Sequence, residues 1–180
     1  MALDALMSII PPPKNPFEAG SGRNWVDVEK SLGTGLPTDY KKYINLYGTG
    51  ELAGFVWVYN PFSDKRHGQN LLLRVSEVLS MYREIRAEFG ENECPYPLYP
   101  EPDGLFPWGH VNTGAELFWR TSGNPEQWTV VVNEARGPQF QQLQQSMTEF
   151  LTSLVIGGLK SDILPKPSKR NRATFIALRE

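Results

Sequence analysis

The side chains best suited to nucleophilic or metal chemistry are a single cysteine, Cys94, and two histidines, His67 and His110. A zinc site needs three or four His, Cys or carboxylate ligands at close spacing, and none of these three has such partners nearby in the sequence. A Cys–His nucleophile pair needs a thiol of lowered pKa, yet Cys94 precedes Pro95 in a proline-rich stretch rather than opening a helix. We therefore interpret Cys94 as an incidental thiol and predict no catalytic residue, no metal and no cofactor.

Carboxylates and glycines offer equally little chemistry. Acid–base catalysis needs a carboxyl whose pKa is raised by apolar surroundings, and no close carboxylate pair lies in such a sequence. The close pairs are Asp27/Glu29, Glu91/Glu93 and Glu101/Asp103. Gly48-Thr49-Gly50 follows a predicted helix and precedes a predicted strand, which is the reverse of a phosphate-binding loop. An enzyme is a third hypothesis, and it predicts Cys94 or a histidine within hydrogen-bond reach of a carboxylate.

The size and charge of the chain exclude other classes of protein. Its 180 residues suffice to bury a core without disulfides or metals, and the formal net charge of −2 creates no global field that would attract nucleic acid or an anionic membrane. No apolar run approaches the roughly 20 residues that span a bilayer. A single cysteine excludes an intramolecular disulfide, which is typical of a reducing compartment. We predict a cytoplasmic protein that binds neither nucleic acid nor membrane directly.

Apolar spacing and end signals predict five helices. The first lies in MALDALMSIIPPP, which stops at three prolines and lacks the basic start and cleavage site of a signal peptide. The last is preceded by a Ser and a Glu at capping-box spacing. The other signals place helices from Trp25, capped by Asn24, to Gly33, from Pro37 to Gly48, over Val75–Phe89, and from Ser146–Glu149 to Leu154.

Runs of β-branched and aromatic residues predict a sheet. Phe106–Val132 has the pattern of three short strands joined by two turns. Glu51–Asn60 predicts a further strand, Gln139–Gln145 an edge strand, and Leu71–Leu73 either a strand or the start of a helix. Because helices and strands do not alternate as βαβ units, the order predicts an α+β fold with a mostly antiparallel sheet covered by helices.

Composition divides the chain into three segments. Residues 1–23 are a short helix and a Pro/Gly-rich lead-in, residues 24–158 are the folded domain, and residues 159–180 are a basic tail. The basic side chains of the tail are Lys166, Lys169, Arg170 and Arg172. Such charges suit nucleic acid or an acidic protein, but the interleaved aromatic residues of a single-strand binder are missing. We expect a solvated tail, with Ala173–Leu178 as an added edge strand.

The strongest candidate for a binding surface is the acidic, proline-rich loop Glu91–Asp103. Its four prolines exclude regular structure and lower the entropy cost of presenting side chains. Tyrosines with a polar rim are common at interfaces, although the same loop is a rigid connector if its tyrosines pack inward. The predicted partner-binding residues are Glu91, Glu93, Tyr96, Tyr99, Glu101 and Asp103.

Eight short motifs occur in an order that resembles the SUKH superfamily, whose members include fungal cell-wall-synthesis regulators and many bacterial immunity proteins. The resemblance covers roughly residues 24–157. The motifs are Trp25–Glu29, Leu36–Lys41, Tyr47–Gly50, Tyr59–Phe62, Phe106–Gly109, Gly114–Trp119, Gln127–Val132 and Met147–Leu151.

The resemblance implies an α+β domain with a single curved sheet and no enzymatic activity, so it transfers no catalytic residues. Its framework positions would be Trp25, Pro37, Gly48, Pro61, Trp108, Gly109, Gly114, Trp119 and Trp128. In the superfamily an acidic residue commonly follows the glycine equivalent to Gly114. Here Ala115 follows and Glu116 comes one place later, and such a shift on a strand turns the side chain to the other face.

Bacterial members of the superfamily bind a cognate toxin, often a nuclease or a deaminase, and neutralise it. We therefore predict a non-enzymatic bacterial immunity protein whose acidic loop occupies a basic surface of its toxin. The sequence does not fix the oligomeric state, because an edge strand near Gln139 can pair or stay free, and of the two we favour a monomer. The alternative is an intracellular regulatory or scaffolding domain without a toxin partner.

Overall fold

Seven antiparallel strands form one sheet within the residues that the computed structural model describes, which are 2–135, 137–168 and 170–179. The strands are β1 Gly50–Leu52, β2 Val56–Val58, β3 Leu105–Val111, β4 Glu116–Arg120, β5 Thr129–Asn133, β6 Phe140–Leu143 and β7 Phe175–Ala177. Their order across the sheet is β6-β5-β4-β3-β2-β1-β7. The terminal strand β7 thus lies at one edge, beside β1.

Helices cover both faces of this sheet. In the described part of the chain they are α1 Ala2–Ile9, α2 Trp25–Leu32, α3 Thr38–Tyr47, α4 Leu71–Phe89 and α5 Met147–Ile156. Phe118 and Trp119 are neighbours on β4 and therefore point to opposite faces. Phe118 meets Tyr82 of α4, and Trp119 meets Tyr40 of α3, each at 5.2 Å between ring centroids. The predicted α+β class with a single, mostly antiparallel sheet is confirmed.

The aromatic meander fills the face under α3 and α5. Trp108 and Trp119 are fully buried, and each lies within 6 Å of a second aromatic ring of this cluster, Phe150 and Trp128 respectively. Among the described residues their indole N–H groups have no hydrogen-bond partner. The cluster therefore stabilises the fold through apolar burial, about 150–250 Å² for each large ring, rather than through polar contacts.

Side-chain caps begin helices α2 and α5 at the positions that the sequence predicts. The Asn24 side chain accepts hydrogen bonds from the backbone N–H groups of Val26 and Asp27. Ser146 and Glu149 form the predicted capping box at the start of α5. These contacts satisfy N–H groups that would otherwise lack a partner in the first helical turn.

The predicted strand Glu51–Asn60 is wrong as a single element. The chain turns back at Ala53 and Gly54, which have φ values of 56° and 80°, so the segment is a hairpin of β1 and β2. Two consecutive residues with positive φ suit the twist of a tight hairpin, and alanine gives no sequence signal for such a conformation. Leu71–Leu73, which allowed two interpretations, begins α4, because Asn70 accepts a hydrogen bond from the Leu73 N–H at 3.1 Å.

The basic tail runs back to the sheet. Lys166, Arg170 and Arg172 are exposed, and Lys169 lies outside the described residues. Ala53 N–H donates to Thr174 O at 2.8 Å at the point where the tail joins β1 through β7.

Gly48 joins the lead-in to the domain. Its φ of 66° and ψ of −144° belong to a region that essentially only glycine occupies. Phe17 O lies so close that a Cβ at Gly48 would be 2.0 Å from it. The same oxygen accepts a hydrogen bond from the Thr49 N–H at 2.8 Å. A side chain at this position would push the lead-in away and break that bond.

Replacing Gly48 by alanine is therefore expected to lower the free energy of unfolding by more than about 3 kcal/mol, since strain and a close contact add. Gly157→Ala is the matched control, because φ is 76° there but nothing lies within 4 Å of the new Cβ. Its expected loss is about 1–2 kcal/mol. Urea unfolding followed by tryptophan fluorescence measures both, and equal losses would contradict the contact with Phe17.

Candidate partner-binding surface

The acidic loop is held against the domain by its tyrosines. Tyr99 donates from its hydroxyl to Leu32 O at 2.8 Å, and its ring packs edge-on against Phe106 at 5.1 Å. Tyr96 packs against Phe140 at 5.4 Å. Both side chains are half-buried, so they orient the loop and offer only part of their rings to a partner.

Two arginines of α4 fix the same loop from the other side. Arg83 Nη2 donates to Tyr99 O at 2.7 Å, and Arg86 Nη2 donates to Tyr96 O at 2.9 Å. Arg86 Nη1 also lies 3.4 Å from Glu101 Oε1, which accepts the Leu98 N–H at 3.2 Å. Charged donors on carbonyl groups give strong hydrogen bonds, so the loop is presented in one conformation.

The carboxylates of the loop extend an acidic strip on α4. Glu91, Glu101 and Asp103 are exposed and Glu93 is half-exposed, so the four predicted acids all reach the surface. We define the acidic face as these four residues together with the exposed Glu84 and Glu88 of α4. Arg83 and Arg86 lie among them, and six carboxylates outnumber these two guanidinium groups, which leaves a surplus of negative charge.

Cys94 and His67, two of the residues with chemical potential, lie in surroundings that do not suit catalysis. Cys94 is fully buried, and burial raises the pKa of its thiol, the opposite of what a thiolate nucleophile needs. His67 Nδ1 lies 3.0 Å from Glu18 Oε1, so the contact that an enzyme would require does occur. However, Glu18 also accepts from Thr49 Oγ1 at 2.7 Å, which places the carboxylate between hydroxyl and imidazole. In a hydrolytic triad the histidine stands in the middle, so this arrangement does not activate the hydroxyl.

A second site, which the sequence did not predict, lies under the first half of α4. Glu116 is buried to 8% exposure and accepts a hydrogen bond from the Tyr59 hydroxyl to Oε2 at 3.0 Å. Arg74 Nη2 lies 3.8 Å from Glu116 Oε1 and 3.3 Å from the Tyr59 oxygen. The guanidinium sits over the Tyr59 ring at 5.4 Å, and His110 stacks on the same ring at 5.5 Å.

Sheet register brings this cluster together. His110 of β3 pairs with Glu116 of β4, and it also pairs with Trp57 of β2, so the three side chains share a face. That face is the one covered by α4, because Phe118, two residues after Glu116, meets Tyr82. The Glu116 offset that distinguishes this sequence after Gly114 therefore directs a carboxylate beneath a helix.

Burial shifts both titratable groups away from charge. Desolvation raises the pKa of Glu116 to about 7, although the hydrogen bond from Tyr59 and the charge of Arg74 act in the opposite direction. Desolvation, helped by Arg74, lowers the pKa of His110 to about 4, so this imidazole is neutral at physiological pH. Its Nε2 lies 3.3 Å from Gln69 Nε2, an amide donor to a neutral ring.

The cluster opens into a groove of about 480 Å³ between α4 and the β3–β4 turn. We call it the α4 groove. Its walls include both aliphatic and polar side chains, and one of them, Ile85, is the neighbour of Glu84 of the acidic face along α4. The lining includes Arg74, Met81, Ile85, Thr113, Gly114 and Glu116.

Among residues 2–135, 137–168 and 170–179, no group of three or more His, Cys, Asp or Glu is placed to hold a metal ion. No helix in those ranges combines the length and apolarity needed to cross a membrane.

An open antiparallel sheet carrying helices on both faces is the architecture of an α+β domain, and here it bears a charged loop and a surface groove. A family model described as SMI1-KNR4 cell-wall, within the SUKH group, matches residues 23–151. The chain belongs to this family, whose domains are of immunity and regulatory type and are generally non-catalytic. The predicted SUKH resemblance is thereby confirmed. Searches of curated proteins and of solved structures found no match.

The pKa of Glu116 is raised and that of His110 is lowered, so the two groups change stability with pH in opposite directions. Between about pH 4.5 and 7 native Glu116 retains a proton that the unfolded chain has lost, so this group lowers stability as pH rises. Between about pH 4 and 6.5 the unfolded chain binds a proton at His110 that the native state lacks, so this group raises stability. The two contributions nearly cancel up to pH 6.5, and only the loss from Glu116 remains above it.

In Glu116→Gln the free energy of unfolding is expected to rise, relative to the wild type, by about 3 kcal/mol between pH 4 and 8. This figure follows because a tenfold change in proton affinity corresponds to about 1.4 kcal/mol. In His110→Asn the free energy of unfolding should fall relative to the wild type as pH rises, mainly below pH 6.5. Denaturant unfolding across this range measures the slopes, and three parallel curves would show that neither group titrates differently in the native state.

Proposed function

We propose that this protein is an immunity protein that binds and neutralises a basic toxin domain through its acidic face. The observation that carries the proposal is the surplus of exposed carboxylates on α4 and the adjoining loop, held in one conformation by Arg83 and Arg86. Membership of a family of immunity and regulatory domains supports this class of function.

The geometry suits rapid, selective association. Toxins that act on nucleic acid hold phosphates with lysine and arginine, so their active surfaces are basic. A complementary acidic surface raises the association rate and competes with the nucleic acid for those side chains. Because the loop is fixed before binding, little conformational entropy is lost when the complex forms.

Inhibition of this kind requires complementarity rather than a reactive centre. The buried thiol of Cys94 and the Thr49–Glu18–His67 order, which lacks a central histidine, support a protein without enzymatic activity of its own. The protein would act as a monomer in the cytoplasm of the bacterium that makes the toxin.

A regulatory domain without a toxin is the second candidate. The family description, which refers to the cell wall, favours it, and the same acidic face would then bind a basic regulatory partner. The two candidates differ in the partner and in the consequence of binding, so an experiment with a toxin separates them.

Neutralising Glu91, Glu93 and Asp103 is expected to slow association with the toxin domain encoded beside this protein. The variant Glu91→Gln/Glu93→Gln/Asp103→Asn removes three charges and keeps Glu101, which fixes the loop through Arg86. Asparagine tolerates the φ of 57° at Asp103. Stopped-flow measurements should show an association rate about tenfold lower at low salt and a weaker salt dependence.

The matched control is Ser21→Lys/Asp162→Lys, which changes the net charge by the same +3 at exposed positions that are not part of the acidic face. This variant should keep most of the wild-type rate. Failure of the wild type to bind or neutralise that toxin would favour the regulatory alternative, and equal rates in both variants would show that the acidic face is not the binding surface.

A further inference from the structure

We propose that the α4 groove receives a lysine side chain of the protein partner, with the ammonium bound at Glu116 Oε1. The proposal rests on the proposed function only in assigning the lysine to a protein partner. The site itself is a feature of this chain and can be tested without that partner.

One oxygen of the buried carboxylate is available to a ligand. Glu116 Oε2 accepts the Tyr59 hydroxyl, whereas Oε1 accepts no hydrogen bond from the described residues, and Arg74 Nη2 remains 3.8 Å away. A carboxylate in a partly dry site gains more from a direct charged donor than one in water, because neighbouring charges are screened less there.

The local charge favours a cation. Arg74 is shared, since its Nη1 donates to Glu77 Oε2 at 2.9 Å and its Nη2 donates to the Tyr59 oxygen at 3.3 Å. His110 is neutral because burial lowers its pKa to about 4. The groups around Glu116 are Tyr59, which directly follows β2, His110 of β3, and Arg74 and Tyr82 of α4. Glu77 does not face Glu116 but pairs with Arg74 and offsets its charge. With ionised Glu116 they sum to one negative charge.

The walls of the α4 groove fit the apolar methylene chain of a lysine. Met81 and Ile85, one helical turn apart on α4, line the groove, and Met81 is 39% exposed. A lysine places four methylene groups between its backbone and its ammonium, and it covers such surface while the charge reaches a polar partner. Glu84 of the acidic face is the neighbour of Ile85 on α4, so a lysine attracted by that face is brought toward the groove.

Lysine fits better than arginine. A guanidinium binds a carboxylate best through two parallel hydrogen bonds, and Tyr59 already occupies one oxygen of Glu116. An ammonium is a compact charge that is satisfied by one carboxylate oxygen and neighbouring acceptors. The hydroxyl of Tyr59 thus selects for a ligand that binds through a single oxygen.

Near neutral pH some of the protein molecules carry a proton on the Glu116 carboxyl, and a bound cation must displace it. Burial raises the pKa of Glu116 to about 7, so the carboxyl is about one tenth ionised at pH 6 and about nine tenths ionised at pH 8. Affinity for the ammonium should therefore rise about tenfold between these two values, a range in which the lysine itself stays charged.

The proposal is tested by NMR titration of the wild-type protein with Nα-acetyl-lysine N-methylamide. Saturable shifts at the amides of Thr113, Gly114 and Glu116 are expected, with a millimolar dissociation constant about tenfold lower at pH 8 than at pH 6. The Nε-acetylated probe should cause none of these shifts, and the arginine analogue should bind at least threefold more weakly.

Two variants complete the test. Glu116→Gln should lose the response, and Met81→Lys, an exposed substitution, should weaken probe binding at least fivefold because its own ammonium reaches the groove. Asp162→Asn removes one exposed charge from a residue outside both the groove and the acidic face, so it is the matched control and should bind the probe like the wild type. Equal responses to the acetylated probe, or unchanged binding in Met81→Lys, would overturn the proposal. Since no toxin is present, this result is independent of whether the acidic face binds one.

Discussion

The register between β3 and β4 is the constraint on which the rest of the structure depends. Phe106 pairs with Trp119 and Pro107 with Phe118, but after a shift between Pro107 and Gly109 the next pairs are Gly109–Leu117 and His110–Glu116. The extra residue lies on β3, so Trp108 joins the rings under α3 and α5 while His110 falls opposite Glu116 on the face covered by α4. A bulge of this kind re-aims side chains without interrupting the sheet. The apolar core and the polar groove are therefore two consequences of one strand pairing.

Helix α4 connects the two candidate binding features. Its first half covers the cluster of Tyr59, Arg74 and Glu116, and its second half carries the arginines that hold the acidic loop. One rigid element thus fixes the relative position of the groove and the acidic face. A partner that contacts both would meet a preorganised surface, and its affinity would depend on that geometry more than on buried area.

Much of the fold could be predicted because its signals are local. Asn24, Ser146 and Glu149 cap helices through contacts within three residues, and glycines end the same helices. The hairpin at Ala53 could not be predicted, since a positive φ at alanine is imposed by the pairing of β1 with β2 and β7. For the loop, acids and tyrosines could be found in the sequence. Only packing against Leu32 and Phe140 decides that the tyrosines face inward and that the acids face outward.

The sequence by itself determined the α+β class, the helix ends and the acidic loop, because caps, periodicity and composition act over a few neighbouring residues. It indicated the SUKH family through the resemblance of eight ordered motifs, which the family model over residues 23–151 confirms. The tertiary structure alone decided the state of Glu116. Its partner Tyr59 lies 57 positions away along the chain, and the burial that raises its pKa arises beneath α4, a helix separated from it in sequence by the acidic loop and β3. A carboxylate acquires such properties from its surroundings in space, which are not encoded in the residues on either side of it.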